Sequence, residues 1–418
     1  MPVSGRFGAL GERDFRLLWL GQATSALGSG LVPVALAFAV VQLTDSASAL
    51  GIVLSAGLVS RVCLLLLGGV VADRLPRQRV MLAADAVRAC TQGVVAVLLL
   101  TGRAEIWHLI VLFALYGAAD SVFSPASTGL VPETVSPGRL QEANALMGMS
   151  RSAALVAGPV IAGLLVSGAS PGWAFAIDAL TFGCSCLSLS FLRLPGVGGV
   201  THSSVLTDLR AGWREVRGRP WATTTIVRFS LSNLAMAPLF VLGPTVAHDS
   251  LGGATAWGLI GTAGGIGSVL GAGVALRVRP PRPLFAGTLA VALCALELAL
   301  LARPFPAAVI ALAAALGFGA TSFSNALWFT ALQERIPREA LSRVSSYDWL
   351  GSLALQPVGY ALAGPAAGAF GISATLVGAA AVQVTVSVGA AFTPAIRALG
   401  VGESPEPAAT KSSRTALT

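Results

Sequence analysis

Along the chain, long apolar runs alternate with short polar interruptions. The runs fall at about 17–41, 49–71, 80–101, 107–129, 144–167, 172–193, 222–246, 254–276, 284–303, 306–330, 344–366 and 370–393. At a rise of about 1.5 Å per residue, each can cross a hydrocarbon layer of about 30 Å. Strands in a buried sheet would instead give apolar blocks of about 4 to 8 residues bounded by turn signals. The pattern predicts an all-α polytopic membrane protein with twelve transmembrane helices. Arg303, Pro304 and Phe305 alone separate the ninth run from the tenth. A cleaved leader is not expected, because Arg6, Glu12, Arg13, Asp14 and Arg16 precede a first run too long for a signal core.

The longest polar interruption, 194–221, divides the spans into six and six. This gives an N-terminal six-helix bundle at 1–193, a cytoplasmic linker at 194–221, a C-terminal six-helix bundle at 222–395 and a flexible cytoplasmic tail at 396–418. The linker is either a short surface helix, with Leu206, Leu209 and Trp213 along one face, or a partly ordered connection. An internal repeat supports the division. Leu130-Val131-Pro132-Glu133, Pro137, Leu140, Gly158-Pro159 and Gly163 reappear as Ala331-Leu332-Gln333-Glu334, Pro337, Leu341, Gln356-Pro357 and Gly364, offset by 198 to 201 residues. Two homologous bundles of this kind can enclose a central cavity and rock about it.

Composition strengthens the membrane reading. Hydrophobic residues make up 55% of the chain and charged residues 11%, against about 25% charged in soluble domains. The net charge of +8 would suggest nucleic acid in a soluble protein, but here the arginines sit in alternate loops. With both termini cytoplasmic, inner segments hold 21 of the 27 basic residues and outer loops only Arg103 and Arg303. The positive-inside rule therefore predicts a multi-pass inner or plasma membrane protein with both ends in the cytoplasm. All five cysteines lie in apolar runs, and the three histidines are scattered, so no metal site is expected. The single lysine, Lys411, lies outside any phosphate-binding pattern. The chain therefore reads as a transporter rather than an enzyme, with no cofactor. Active transport would draw on a gradient, most simply of protons.

The loop after the second span reads Gly69-Val70-Val71-Ala72-Asp73-Arg74-Leu75-Pro76-Arg77-Gln78-Arg79. Gly69 allows close helix contact, Asp73 can accept charge-assisted bonds, and Arg77 and Arg79 can reach an acid or a helix dipole end. Either this is ordinary basic anchoring, or Gly69, Asp73, Arg74, Arg77 and Arg79 form a gate latch that breaks in one access state. In the fifth span, Ala154, Gly158, Pro159, Ala162 and Gly163 offer a thin, kinkable face. The eighth span matches it with Gly258, Gly261, Gly264, Gly265, Gly267 and Gly271.

Charge within the spans bears most directly on mechanism. Asp120 and Arg151 lie roughly 13 and 10 Å from the inner boundary, so they are expected to meet, either as a structural pair or as a coupling pair. Asp85 and Arg88 share a helix face. Arg61 near mid-span could attract an anionic substrate or neutralise a buried acid, and Asp348 could cap its helix or meet loop arginines. Asp178 and Glu297 are further candidates for proton exchange. Gln22, Arg61, Asn144, Asn325, Trp328, Tyr347 and Gln356 are cavity candidates, suited to an amphipathic organic substrate.

Residues 69–79, together with twelve spans, resemble the major facilitator superfamily, with Pro76 where glycine is common. The second-half counterpart, Gly271 to Arg282, has Ala275 in place of the acid. The resemblance covers about residues 10–395 and implies two six-helix pseudo-repeat bundles with alternating access. Gly158-Pro159 resembles the fifth-helix signature of proton-exchanging exporters, with Ala162-Gly163 replacing its glycine pair. Phe15 to Gln22, Ser124-Pro125-Ala126 and Ala176 to Phe182 resemble the branch of enterobactin exporters and macrolide-efflux-like proteins. Together these imply proton-coupled export of a hydrophobic or amphipathic drug, metabolite or siderophore by a monomeric unit among membrane lipids. An importer or facilitator, a lipid or lysolipid flippase, and a nontransporting scaffold remain alternatives.

Overall fold

The computed structural model describes residues 8–44, 46–193, 213–303, 305–336 and 338–399. The first half comprises α1 (Arg13–Thr44), α2 (Ala47–Arg74), α3 (Arg77–Leu100), α4 (Ile106–Thr134), α5 (Leu140–Gly168) and α6 (Pro171–Ser190). The second comprises α7 (Pro220–Val246), α8 (Gly253–Arg277), α9 (Pro283–Ala302), α10 (Ala307–Arg335), α11 (Arg338–Leu353), α12 (Gln356–Phe370), α13 (Ile372–Ala391) and the short α14 (Pro394–Arg397). No strand occurs among the described residues. Most of the expected linker, 194–212, lies outside them.

Local chemistry sets the helix ends. Proline opens α6, α7 and α9, where its missing N–H costs nothing. Ser170 caps α6 by accepting from the Gly172 amide at 3.2 Å. Gly371 alone joins α12 to α13, at φ +87°, a conformation that suits glycine.

Among the described residues, eleven helices are individually long and apolar enough to span a membrane. The expected eleventh span, 344–366, is instead divided into α11 and α12. Pro357 has no N–H to offer the carbonyl four residues back, that of Leu353, and α11 ends at Leu353. The two pieces take the place of one crossing, completing a twelve-span architecture.

Within the first half, α1 packs on α5 and α6, α2 on α4, and α3 on α4 and α6. Within the second, α8 packs on α10, and α7 on α12 and α13. The halves meet chiefly through α5 with α8 and α2 with α12. Thr262 Oγ1 donates to the Val156 carbonyl at 2.9 Å, Ser167 and Thr255 share a hydrogen bond of 2.8 Å, and Ser55 Oγ donates to the Pro357 carbonyl at 2.9 Å. These three bonds run from mid-helix towards the end away from the arginine-rich loops.

Glycine spacing divides α8 between two partners. Gly258, Gly261 and Gly265 face α5, where an added Cβ would press on the backbone of Gly163 or Leu155 or on the Pro159 ring. Gly264, Gly267 and Gly271 face α10, against Phe318, Ala315 and Gly319. Steps of three and four residues separate members of each set, which puts each on one helix face. The single face expected from sequence is therefore two. On α5, Gly163 meets α8, while Gly158 meets Gly30 of α1.

Candidate functional site: an intramembrane charge cluster

The main charge cluster is built on a glycine crossing. An added Cβ at Gly57 of α2 would sit 3.2 Å from the Phe113 carbonyl oxygen, and one at Gly117 of α4 would overlap the Gly57 backbone. One turn further along each helix stand Arg61 and Asp120. Arg61 Nε lies 3.0 Å from Asp120 Oδ2. Each residue is 14 positions from the start of its helix, about 21 Å along the axis and close to the helix midpoint.

The cluster extends into α3 and α6. Arg88 Nη1 lies 3.5 Å from Asp120 Oδ1, and its Nη2 lies 3.0 Å from Asp85 Oδ1. The second contact is an ion pair by distance without hydrogen-bond alignment. Asp85 Oδ2 accepts from Ser185 Oγ at 2.6 Å. The Arg88 guanidinium also stacks 3.7 Å from the Phe123 ring centroid and 4.8 Å from that of Phe182. Asp85 and Arg88 are buried, whereas the Arg61 side chain is 41% exposed and that of Asp120 18%. Two acids and two arginines give a cluster with no net formal charge, the arrangement a low-dielectric interior tolerates best.

Asp120 thus takes Arg61 and Arg88 as partners in place of the expected Arg151. Depth along neighbouring helices is not contact: α4 packs on α2 and α3 but only lightly on α5. Arg151 is exposed. The expected Asp85–Arg88 pair is present, and Arg61 does neutralise an acid.

Among the described residues, three further acids are buried. Asp178 of α6 is fully buried; its Oδ1 accepts from Ser29 Oγ at 3.2 Å, and its Oδ2 makes no aligned hydrogen bond among the described residues, with the Gln92 amide beside the carboxylate. Glu297 of α9 is buried with Oε2 unpartnered. Asp348 accepts from Trp328 Nε1 at 3.0 Å and from Ser352 Oγ at 3.2 Å, and so satisfies a core tryptophan; the side chains of Arg338 and Arg343 lie outside the described residues.

At the arginine-rich end, Arg77 Nη1 donates to Glu133 Oε1 at 2.7 Å and to the Gly129 carbonyl at 2.8 Å. It thereby ties the start of α3 to the last turns of α4. Arg79 is exposed, and the side chains of Gly69, Asp73 and Arg74 lie outside the described residues.

The remaining polar candidates scatter. Trp328 is 1% exposed and packs edge-on to Trp221 and Phe229, so it belongs to the core of the second half and not to a cavity wall. Gln356 Nε2 donates to Tyr360 Oη at 2.8 Å, and the Tyr347 ring lies 5.8 Å from that of Trp213. Gln22 buries an unpartnered Nε2; Asn144 is exposed and Asn325 half-buried. Sequence reasoning missed Ser29 and Ser185, which hold the two fully buried aspartates. A hydroxyl within a membrane helix carries little signal by itself, because it can bond its own backbone.

A polytopic helical bundle with paired charges at mid-span and two halves that meet through α5 with α8 and α2 with α12 has the build of a membrane transporter. The chain belongs to the Major Facilitator Superfamily, whose sequence pattern matches residues 18–352. It is 29% identical over 412 residues to the multidrug efflux pump Tap of Mycolicibacterium fortuitum, covering 93% of this chain and 98% of that protein. Macrolide efflux protein A of Streptococcus pyogenes is 22% identical over 242 residues, covering 57% of this chain and 60% of that protein. In fold the chain is similar to the nucleoside transporter NupG, with a TM-score of 0.73 at 14% identity over 90% of this chain and 98% of the other. A bacterial homolog of the human lysosomal transporter Spinster, inward-facing and unoccupied, gives 0.71 at 13% identity over 92% and 96%.

Proposed function

We propose that this chain exports a hydrophobic or amphipathic organic compound in exchange for protons, by alternating access between its two halves. The observation that carries the reading is the Arg61–Asp120–Arg88–Asp85 cluster. An exposed guanidinium near the bilayer midplane is costly against lipid, so the exposed face of Arg61 calls for a water-filled space between the halves. Asp120, the more exposed acid of the cluster, is the proton acceptor; on protonation it releases Arg61. Asp178 and Glu297, each buried with one oxygen lacking an aligned hydrogen bond among the described residues, are secondary proton sites.

Export is supported by the efflux proteins among the relatives, named as pumps for multiple drugs and for macrolides. Both termini and the arginine-rich loops face the cytoplasm in this reading, as the basic residues favour. The described bonds between halves then close the outer side, and substrate loads from the cytoplasm. Asp73, Arg74, Arg77 and Arg79 act as the inner gate, with Arg77 anchored on Glu133. The functional unit is a monomer.

Purified protein in proteoliposomes, screened with macrolides and other amphipathic drugs under an imposed pH gradient, tests the proposal. Drug-dependent proton movement is expected, and Asp120→Asn should abolish it while drug binding persists. Drug flux without proton movement, unaffected by Asp120→Asn, would refute the exchange mechanism.

A further inference from the structure

A groove of about 360 Å³ runs between α7 and α13, within the range of ligand pockets. Its walls are largely apolar, with Val227 and Leu231 on α7 and Val386 and Ala390 on α13, and Thr224 and Thr385 add hydroxyls. Val227 and the neighbouring Val384 are 51% and 41% exposed, so the groove borders apolar outer surface. In a membrane-spanning protein that surface meets acyl chains.

Arg228 lines the groove and is 2% exposed. It stacks on Phe229, 3.9 Å from the ring centroid, but Nε and Nη2 have no hydrogen-bond partner among the described residues. No described carboxylate lies within the ion-pair limit of 4.0 Å. Cys294 and Asp348 are the groups that act on it electrostatically; the Cys294 thiol hydrogen-bonds to the Gly317 carbonyl, and Asp348 already accepts from Trp328 and Ser352. Arg228 stands eight positions into α7, about 12 Å from its arginine-rich end. A buried guanidinium at such depth needs an anion.

We propose that the α7–α13 groove is a binding site for an anionic phospholipid of the surrounding leaflet. The lipid phosphate pairs with the Arg228 guanidinium, whose enclosed Nε and Nη2 turn toward the groove on binding, and an acyl chain lies along the valine, leucine and alanine walls. Charge complementarity selects the headgroup, and continuity with the apolar exterior selects a lipid over a soluble anion. The site is separate from the Asp120 cluster and does not depend on which compound is transported.

The test is binding to the purified full-length protein in detergent, followed by native mass spectrometry and thermal unfolding. Phosphatidylglycerol, phosphatidylcholine and inorganic phosphate serve as probes. Phosphatidylglycerol should bind and raise the unfolding temperature; the other two should not. Arg228→Gln should weaken phosphatidylglycerol binding about tenfold or more, the loss expected for a charge-assisted hydrogen bond, whereas Arg228→Lys should retain the preference for it. An added Cβ at Gly389 would meet nothing within 4 Å, so Gly389→Phe has room to place a ring in the groove while leaving residue 228 an arginine. It should also abolish binding. Equal stabilisation by phosphatidylcholine, an equal effect of inorganic phosphate, or phosphatidylglycerol binding retained in both Arg228→Gln and Gly389→Phe would overturn the proposal.

Discussion

At the residue scale, the two arginines of the first-half cluster differ in what their removal leaves behind. Arg88 is buried between two acids and two aromatic rings. Arg88→Met strands Asp85 without a counter-charge and should cost about 3–5 kcal/mol. Arg61 is 41% exposed, and Arg61→Gln should cost about 1 kcal/mol or less while impairing transport. Thermal unfolding of the purified variants separates the two; equal losses would show that Arg61 is no more replaceable than Arg88. A similar argument applies to Trp328, whose indole N–H bonds a buried carboxylate. Trp328→Phe should destabilise by about 1–3 kcal/mol through the acceptor it leaves unpaired. The sequence announced the charges, because an ionisable side chain in an apolar run stands out. It did not announce Ser29 or Ser185, nor that Trp328 bonds Asp348 across a helix interface.

At the element scale, small residues decide which helices come close. Gly57 and Gly117 let α2 and α4 cross tightly enough for Arg61 to reach Asp120 one turn on. The two glycine sets of α8 have different duties, one within its own half and one between halves. Gly267→Leu should overpack the α8–α10 contact and lower stability by about 1–3 kcal/mol, read as a drop in unfolding temperature. Gly258→Leu should instead hold the halves apart, leaving the unfolding temperature nearly unchanged and abolishing transport. The reverse pattern would mean that the α5–α8 contact stabilises the fold rather than the access state. The break between α11 and α12 belongs to this scale as well. Pro357 is visible in sequence, but Pro159 of α5 sits inside a continuous helix. Whether a proline bends or ends a membrane helix depends on how neighbours satisfy the freed backbone groups.

At the scale of the whole molecule, the hydrogen bonds between the halves among the described residues lie from mid-helix towards one end. Ser167 and Thr255 share the hydrogen bond nearest that end. In a background lacking the native cysteines, Ser167→Cys with Thr255→Cys should cross-link under mild oxidation and stop transport, and reduction should restore it. Cross-linking with full activity retained would rule out separation of α5 from α8 during the cycle.

Twelve apolar spans, the α-helical class and a family-level fold were determined by the sequence itself. Length, hydropathy and the Gly69–Arg79 pattern are local properties, and the membrane leaves few alternatives for satisfying the backbone. The same locality explains the correct pairing of Asp85 with Arg88, which lie on one helix three residues apart. Partners between helices were decided only by the tertiary structure. Asp120 and Arg151 matched in depth, yet depth fixes one coordinate and leaves open which neighbour a helix face meets. The crossing of α2 over α4 supplied the answer, through the backbone contact at Gly57 and Gly117 that brings Arg61 to Asp120.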